Sequence, residues 1–215
     1  MSDERKILFE TQFFNLLRRD STARQQVVLV EGTRNLPTRD RARLVEFAEE
    51  VARRLPTAMF RTGNAPGADE AFAEGVRNVD PSRLQYILPY ETHGKKKIDP
   101  HSQVYPLNAV PDSELEEACR RAMEATPEIA GLIKLYMRLR VKNRSTVKAL
   151  YLIRDALKVL GSNALSLASA TAGIFYVDPK RPNSGGTGHT IRLCGLNNVP
   201  VWDQRRWMTW LDQLA

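Results

Sequence analysis

Cysteine is nearly missing from this 215-residue chain, which holds only Cys119 and Cys194. Their separation matches no metal-ligand spacing and offers no disulfide framework, so reduced thiols in a cytoplasmic setting are the expectation. No apolar run approaches the roughly 20 residues that a membrane-spanning helix needs, so no membrane partner is expected. The opening stretch, MSDERKILFETQFF, places acidic residues early and lacks a small-residue cleavage site. It does not read as a signal peptide. No internal repeat or low-complexity tract is present, and no Ser-His-Asp or Cys-His grouping can be assembled. His93 and His101 flank Asp99 at a spacing that fits no strong metal pattern, so no metal site is expected.

What the chain does have is basic charge. The formal net charge is +7, with a sequence pI near 9.6. Such a balance favours anionic partners: nucleotides, nucleic acid or acidic surfaces. The basic residues are spread along the chain, so a solvated basic surface is the competing explanation. At 42% hydrophobic and 27% charged residues the composition is that of a globular protein. The length suits one domain with one sizeable core.

Residues 1–24 read as an N-terminal helical extension. Ile7, Leu8, Phe9, Phe13, Phe14, Leu16 and Leu17 make a broad apolar face. That face is a candidate docking or oligomer contact, and a homo-oligomer is expected. The run QQVVLVEGTR at 25–34 has the look of a buried strand entering a glycine loop. Leu44, Phe47, Ala48, Val51 and Leu55 then fall on one helical face, and Pro56 ends that helix. AMFRTG at 58–63 is a second strand entering a second glycine loop, followed by a helix to about Val76. LQYILPY at 84–90 is a third strand. Residues 91–112 show prolines, polar residues and the lysine triplet 95–97 without periodicity, and read as a long surface loop. Helices follow at 113–126, 128–139 and 145–161. ATAGIFYV at 170–177 is a fourth strand, then come the glycine loop SGGTG, a helix at 188–196, the strand VPVW and a last helix carrying Trp207 and Trp210. The alternation predicts an α/β fold, a mostly parallel sheet flanked by helices.

In an open parallel sheet, ligands bind outside the carboxyl ends of the strands. Three glycine loops fall at such ends: Gly32-Thr33-Arg34, then Gly63 to Asp69, then Ser184 to Thr190. The last two lead into helices, whose first turns offer free N–H groups and a positive dipole end to phosphate. Arg34 and Arg61 flank two of these turns and are candidate phosphate partners. Asp69 suits either a helix cap or a ribose hydroxyl, and Glu70 a first-turn dipole partner. His189 suits a phosphate hydrogen bond or an acid role, or simply a polar place in a first turn. Lys95, Lys96 and Lys97 suit a solvated run or a phosphate-backbone contact. The tryptophans suit the core.

The strand–GTR start, the RTGNAPGADEAF loop and helix, and the strand–GGTGHTIR–strand ending resemble the SLOG superfamily of Rossmann-like proteins. That group joins the Smf/DprA DNA-processing proteins to the LOG phosphoribohydrolases. Closer still are the small DprA-like SLOG proteins of bacteria and phages. The likeness spans residues 25–203 and rests on the three loops together. It implies a nucleotide or nucleic-acid phosphate pocket. Gly32, Thr33 and Arg34 would line one side. Thr62, Gly63, Asn64, Gly67, Ala68 and Asp69 would form the family's Gly-x-x-x-Gly-x-Asp turn. Ser184, Gly185, Gly186, Thr187, Gly188, His189 and Thr190 would form its phosphate loop, with His189 inserted before the threonine.

The resemblance implies three functions. The first is a nucleotide-binding protein, with no required cofactor and Mg2+ an optional companion of the phosphates. The second is single-stranded DNA binding in recombination. The third is an N-glycosidase acting on nucleoside 5′-monophosphates. The LOG arginine has a plausible counterpart in Arg144. The LOG glutamate has none, because the two registers place Arg192 or Leu193 there. Asp69 or Glu70 would have to supply a carboxylate from another loop.

Overall fold

The computed structural model describes residues 9–19 and 25–214. Six strands form one sheet: β1 (Val27–Gly32), β2 (Met59–Thr62), β3 (Leu84–Leu88), β4 (Gln103–Pro106), β5 (Ala172–Tyr176) and β6 (Val201–Asp203). Their order is β4-β3-β2-β1-β5-β6, and every pairing is parallel. The helices are α1 (Asn15–Arg19), α2 (Thr38–Arg54), α3 (Ala68–Val79), α4 (Asp112–Ala125), α5 (Ala130–Leu139), α6 (Val147–Leu160), α7 (Gly185–Leu196) and α8 (Gln204–Leu211). A helical turn, Glu10–Phe14, precedes α1. The expected α/β, Rossmann-like architecture is the one observed.

β1 sits at the centre, and its apolar run is continuous because both faces are covered. Val28 and Val30 join the layer holding α2, α3, α8 and the N-terminal segment. Leu29 points the other way, into the layer of α4 to α7. The chain winds outward from β1 to β4, then returns across the sheet through α4, α5 and α6 to lay β5 on the other side of β1. The direction of winding therefore reverses between β1 and β5. A crevice forms beyond the carboxyl ends of the strands at such a reversal.

Two expectations are corrected. The segment 91–112 is not simply a loop, because Gln103–Pro106 pairs with β3 from Gln85 to Leu88. This is a short, half-exposed edge strand that ends in a proline, so it carries little of the usual strand signal. The N-terminal apolar face is not free for docking. Phe9, Phe13, Phe14 and Leu17 are buried in the protein's own core, and only Leu16 of the described apolar residues there stays exposed. Phe13 lies edge-on to Trp202 at 5.2 Å, and Phe9 lies 5.4 Å from Trp210. Glu10 closes the packing with an ion pair to Arg54 at 2.9 Å. Ile7 and Leu8 lie outside the described residues. Trp207 is core, as expected, stacked on Phe47 at 4.1 Å and donating from Nε1 to the Phe175 carbonyl.

Candidate functional site

The three glycine loops meet at the carboxyl edge of β1, β2 and β5. Thr33 donates its N–H to the Tyr176 carbonyl at the end of β5, and Ala68 donates to the Thr33 carbonyl. Gly67 makes the second contact feasible. Its φ is 89°, and a β-carbon there would stand 2.6 Å from the Thr33 and Arg34 carbonyl oxygens. Asp69 then ties the first two loops together. Its Oδ1 accepts from Gly32 N at 2.9 Å and its Oδ2 from Ala65 N at 3.3 Å. Asp69 therefore does not cap its own helix; it braces two loops while lining the cleft.

The first turn of α7 forms the facing wall. Ser184 caps it through the backbone, with its carbonyl accepting from Gly188. Gly185 and Gly186 are exposed, and nothing stands within 4 Å of where a side chain on Gly185 would begin. The leading N–H groups of this turn have no intrahelical acceptor and point at whatever enters.

Between the walls is a cleft of about 550 Å³. Gly32, Thr33, Arg34, Asp69, Ser184, Gly185, Gly186 and Thr187 line it, as expected from the loops. Thr62, Gly63, Asn64, Gly67, Ala68, Gly188, His189 and Thr190 do not reach its surface and instead support those that do. Arg34, Lys148 and Arg181 stand on its rim beside Tyr151. The Arg34 guanidinium lies over the Tyr151 ring, 5.8 Å from its centre, and the Arg154 guanidinium lies at 5.7 Å.

The floor is charged, and the expectations from sequence missed it. Glu31 stands one residue before the end of β1, while Arg154, Asp155 and Lys158 come from α6. None is more than 5% exposed. Lys158 Nζ lies 2.5 Å from Glu31 Oε2 and 2.8 Å from Asp155 Oδ1. Arg154 Nε lies 2.9 Å from the same Asp155 oxygen, and its Nη1 donates to the Gly63 carbonyl. Gly63 leaves room for this, since a β-carbon there would overlap the guanidinium. Thr190 Oγ1 lies 3.3 Å from Glu31 Oε2 and 3.1 Å from the Gly186 carbonyl, two acceptors for its single hydroxyl proton.

The two carboxyls respond differently to burial. Burial pushes Glu31 up to about 7, and Lys158 only partly offsets it. Burial works in the same direction on Asp155, but Lys158 and Arg154 together outweigh it and hold that group below the ordinary carboxylate range. The signal for this cluster was present in the sequence. Arg154, Asp155 and Lys158 interrupt the otherwise apolar stretch ALYLIRDALKVL.

Several sequence candidates are corrected. Arg61 turns inward and is fully buried. Its guanidinium is spent on Gln85 Oε1, the Lys158 carbonyl and the Ala168 carbonyl. His189 is a core residue, with Nδ1 2.8 Å from Thr126 Oγ1 and Nε2 3.2 Å from the Leu152 carbonyl. Burial lowers its pKa and Asp155 only partly opposes this, so it is neither a phosphate ligand nor an acid in the cleft. Glu70 is exposed and pairs with Lys97 at 3.3 Å, away from the cleft. Arg144 is exposed and lies outside the lining; Arg154 is the arginine that α6 brings in. Arg192 is held by the Ala125 and Asn183 carbonyls and Thr126 Oγ1. His93 meets Tyr90 and Tyr151 while His101 meets Asp99, so those two histidines do not converge.

A second groove of about 610 Å³ runs beside β6, lined in part by Phe9, Trp202, Arg205 and Arg206. Its charged side chains are not buried, and although it shares Pro182 with the cleft, none of its lining residues belongs to the glycine loops. The glycine-loop cleft is the better candidate because its position and its buried charges coincide. Fold and site together define a doubly wound parallel α/β protein with a polar cleft at its switch point. A scan against protein-family models matched none, and a search of curated proteins found no match.

Proposed function

We propose that the cleft binds a nucleotide. The observation that carries this reading is the convergence of the first and third glycine loops, braced by the second, over one cleft with a buried, charged floor. The phosphate sits at the first turn of α7, with Arg34 and Arg181 near enough to neutralise it. The sugar lies over Glu31 and Asp155, and the base lies toward Tyr151. This is the arrangement that the SLOG-like motifs imply. Titration calorimetry with nucleoside mono-, di- and triphosphates, with and without Mg2+, tests it. Micromolar binding that weakens with salt is expected, and no heat with any of them sinks the idea. A single-stranded DNA oligonucleotide in the same titration separates the DNA-binding reading from this one.

The carboxylates favour a second reading, N-glycosidic cleavage of nucleoside monophosphates. α7 carries no acid at the expected place, but Asp155 brings one from α6. A carboxylate beside the sugar C1′ stabilises the cationic transition state as the base departs and water adds. Incubation with nucleoside monophosphates, followed by chromatography for free base, decides it.

A further inference from the structure

Glu31 and Asp155 share a feature that their internal contacts leave unexplained. Each turns one oxygen toward the buried cations: Glu31 Oε2 to Lys158, with Thr190 at 3.3 Å, and Asp155 Oδ1 to Lys158 and Arg154, in ion-pair contacts that lack hydrogen-bond geometry. The remaining oxygens have no hydrogen-bond donor among the described residues. Glu31 Oε1 is a buried acceptor without a partner. Asp155 Oδ2 faces α7, 3.5 Å from the point where a β-carbon on Gly186 would stand. Both residues line the cleft and both are at least nine-tenths buried. A buried acceptor left unpaired, as Glu31 Oε1 is, costs about 1–3 kcal/mol, more when charged, so this oxygen, with Asp155 Oδ2 on the α7 side of the same cleft, is a place for donors brought by a ligand.

Asp69 makes an informative contrast. Each of its two oxygens accepts a backbone N–H, from Gly32 and Ala65. Of the four carboxylates lining the cleft, Asp69 braces two loops and the half-buried Asp178 accepts from Lys180 N at 2.9 Å, which leaves Glu31 and Asp155 as the buried pair that each keep one oxygen without a donor among the described residues. The free pair comes from different elements, bridged by the single ammonium of Lys158. Neighbouring donors on one small ligand fragment suit such a pair, and a vicinal diol carries two.

We infer that the free oxygens of Glu31 and Asp155 accept hydrogen bonds from the 2′- and 3′-hydroxyls of a ribonucleotide, making them the residues that select ribose over deoxyribose. The inference rests on the nucleotide reading above and narrows its ligand class. Gly186 belongs to the same device, because its missing side chain keeps the path to Asp155 Oδ2 open.

The test is calorimetry on the full chain with the four ribonucleoside 5′-monophosphates and their 2′-deoxy and 2′,3′-dideoxy counterparts. At pH 8, above the raised Glu31 pKa of about 7, affinity should fall by about tenfold for each hydroxyl removed, as expected for a hydrogen bond to a charged acceptor. Asp155→Asn should shrink the ratio of ribose to dideoxyribose affinity several-fold. Gly186→Ala reads the same ratio without touching the ion pairs, which keeps the test alive should Asp155→Asn not fold. Equal affinity for the ribose and dideoxyribose series overturns the inference and leaves the nucleotide reading standing. So does an unchanged ratio in both variants. Binding of none of the twelve nucleotides overturns both.

Discussion

The two sides of β1 bury opposite chemistry. On one side, Phe9, Phe13, Phe47, Trp207 and Trp210 fill the space between the sheet, α2 and α8 with stacked and edge-on rings. On the other, at the carboxyl end, Glu31, Arg154, Asp155 and Lys158 bury charge. The aromatic side gains stability from every ring it hides. The charged side must offset several desolvation penalties with a few short contacts, and a group there is stable only while its partners remain. A fold tolerates such an arrangement where a ligand uses it.

Removing the hub of the charged side should give the largest effect. Lys158→Met leaves Glu31 and Asp155 facing each other without their common cation, and about 4 kcal/mol of stability should be lost in urea unfolding at pH 7. A loss below about 1 kcal/mol would mean that the cluster does not depend on its lysine. Phe13→Ala should cost somewhat less, about 3 kcal/mol, through the cavity it leaves against Trp202. A negligible change there would show that the N-terminal segment does not belong to the core.

A smaller effect is expected from pH. Glu31 has a folded pKa raised from the usual 4.5 to about 7. The folded protein thus binds more protons than the unfolded chain between those values. Glu31's contribution is fully present below about 4.5 and is lost as pH rises through about 7. His189 works the other way, since burial lowers its pKa and favours folding as pH rises through the ordinary histidine range. The difference between wild type and Glu31→Gln isolates the glutamate. The variant should gain stability relative to wild type between pH 5 and pH 8, measured as paired urea midpoints. A constant difference across that window would break the account. The smallest effects belong to residues outside both regions: Arg144→Ala and Glu70→Gln should each change stability by less than about 0.5 kcal/mol and leave nucleotide affinity unchanged.

Much of the scaffold was legible because its signals are local. Val27 to Val30 form an unbroken β-branched and apolar run, α2 shows its stripe of Leu44, Phe47 and Val51, and glycines follow the strands that need tight exits. β4 was not legible, because four half-exposed residues at a sheet edge carry almost no periodicity. The site was legible to the level of loops. Arg61 and His189 sit in or beside those loops, yet their side chains turn into the protein and their polar atoms are filled there. Glu31 and Asp155 stood unremarked in apolar stretches and became the floor of the cleft, with Lys158 paired to both beneath it.

The alternation of strands and helices and the glycine exits were readable along the chain, although α7 starts at Gly185, three residues before the expected 188. These depend on backbone preference and on apolar spacing, which act between near neighbours. Tertiary structure alone decided which charged side chains face the cleft. That choice depends on partners from distant segments, such as Glu31 with Lys158 and Arg154 with Gly63, and on which layer covers each residue. A charge is tolerated in the interior only where such partners meet it, and they meet only once the sheet has formed.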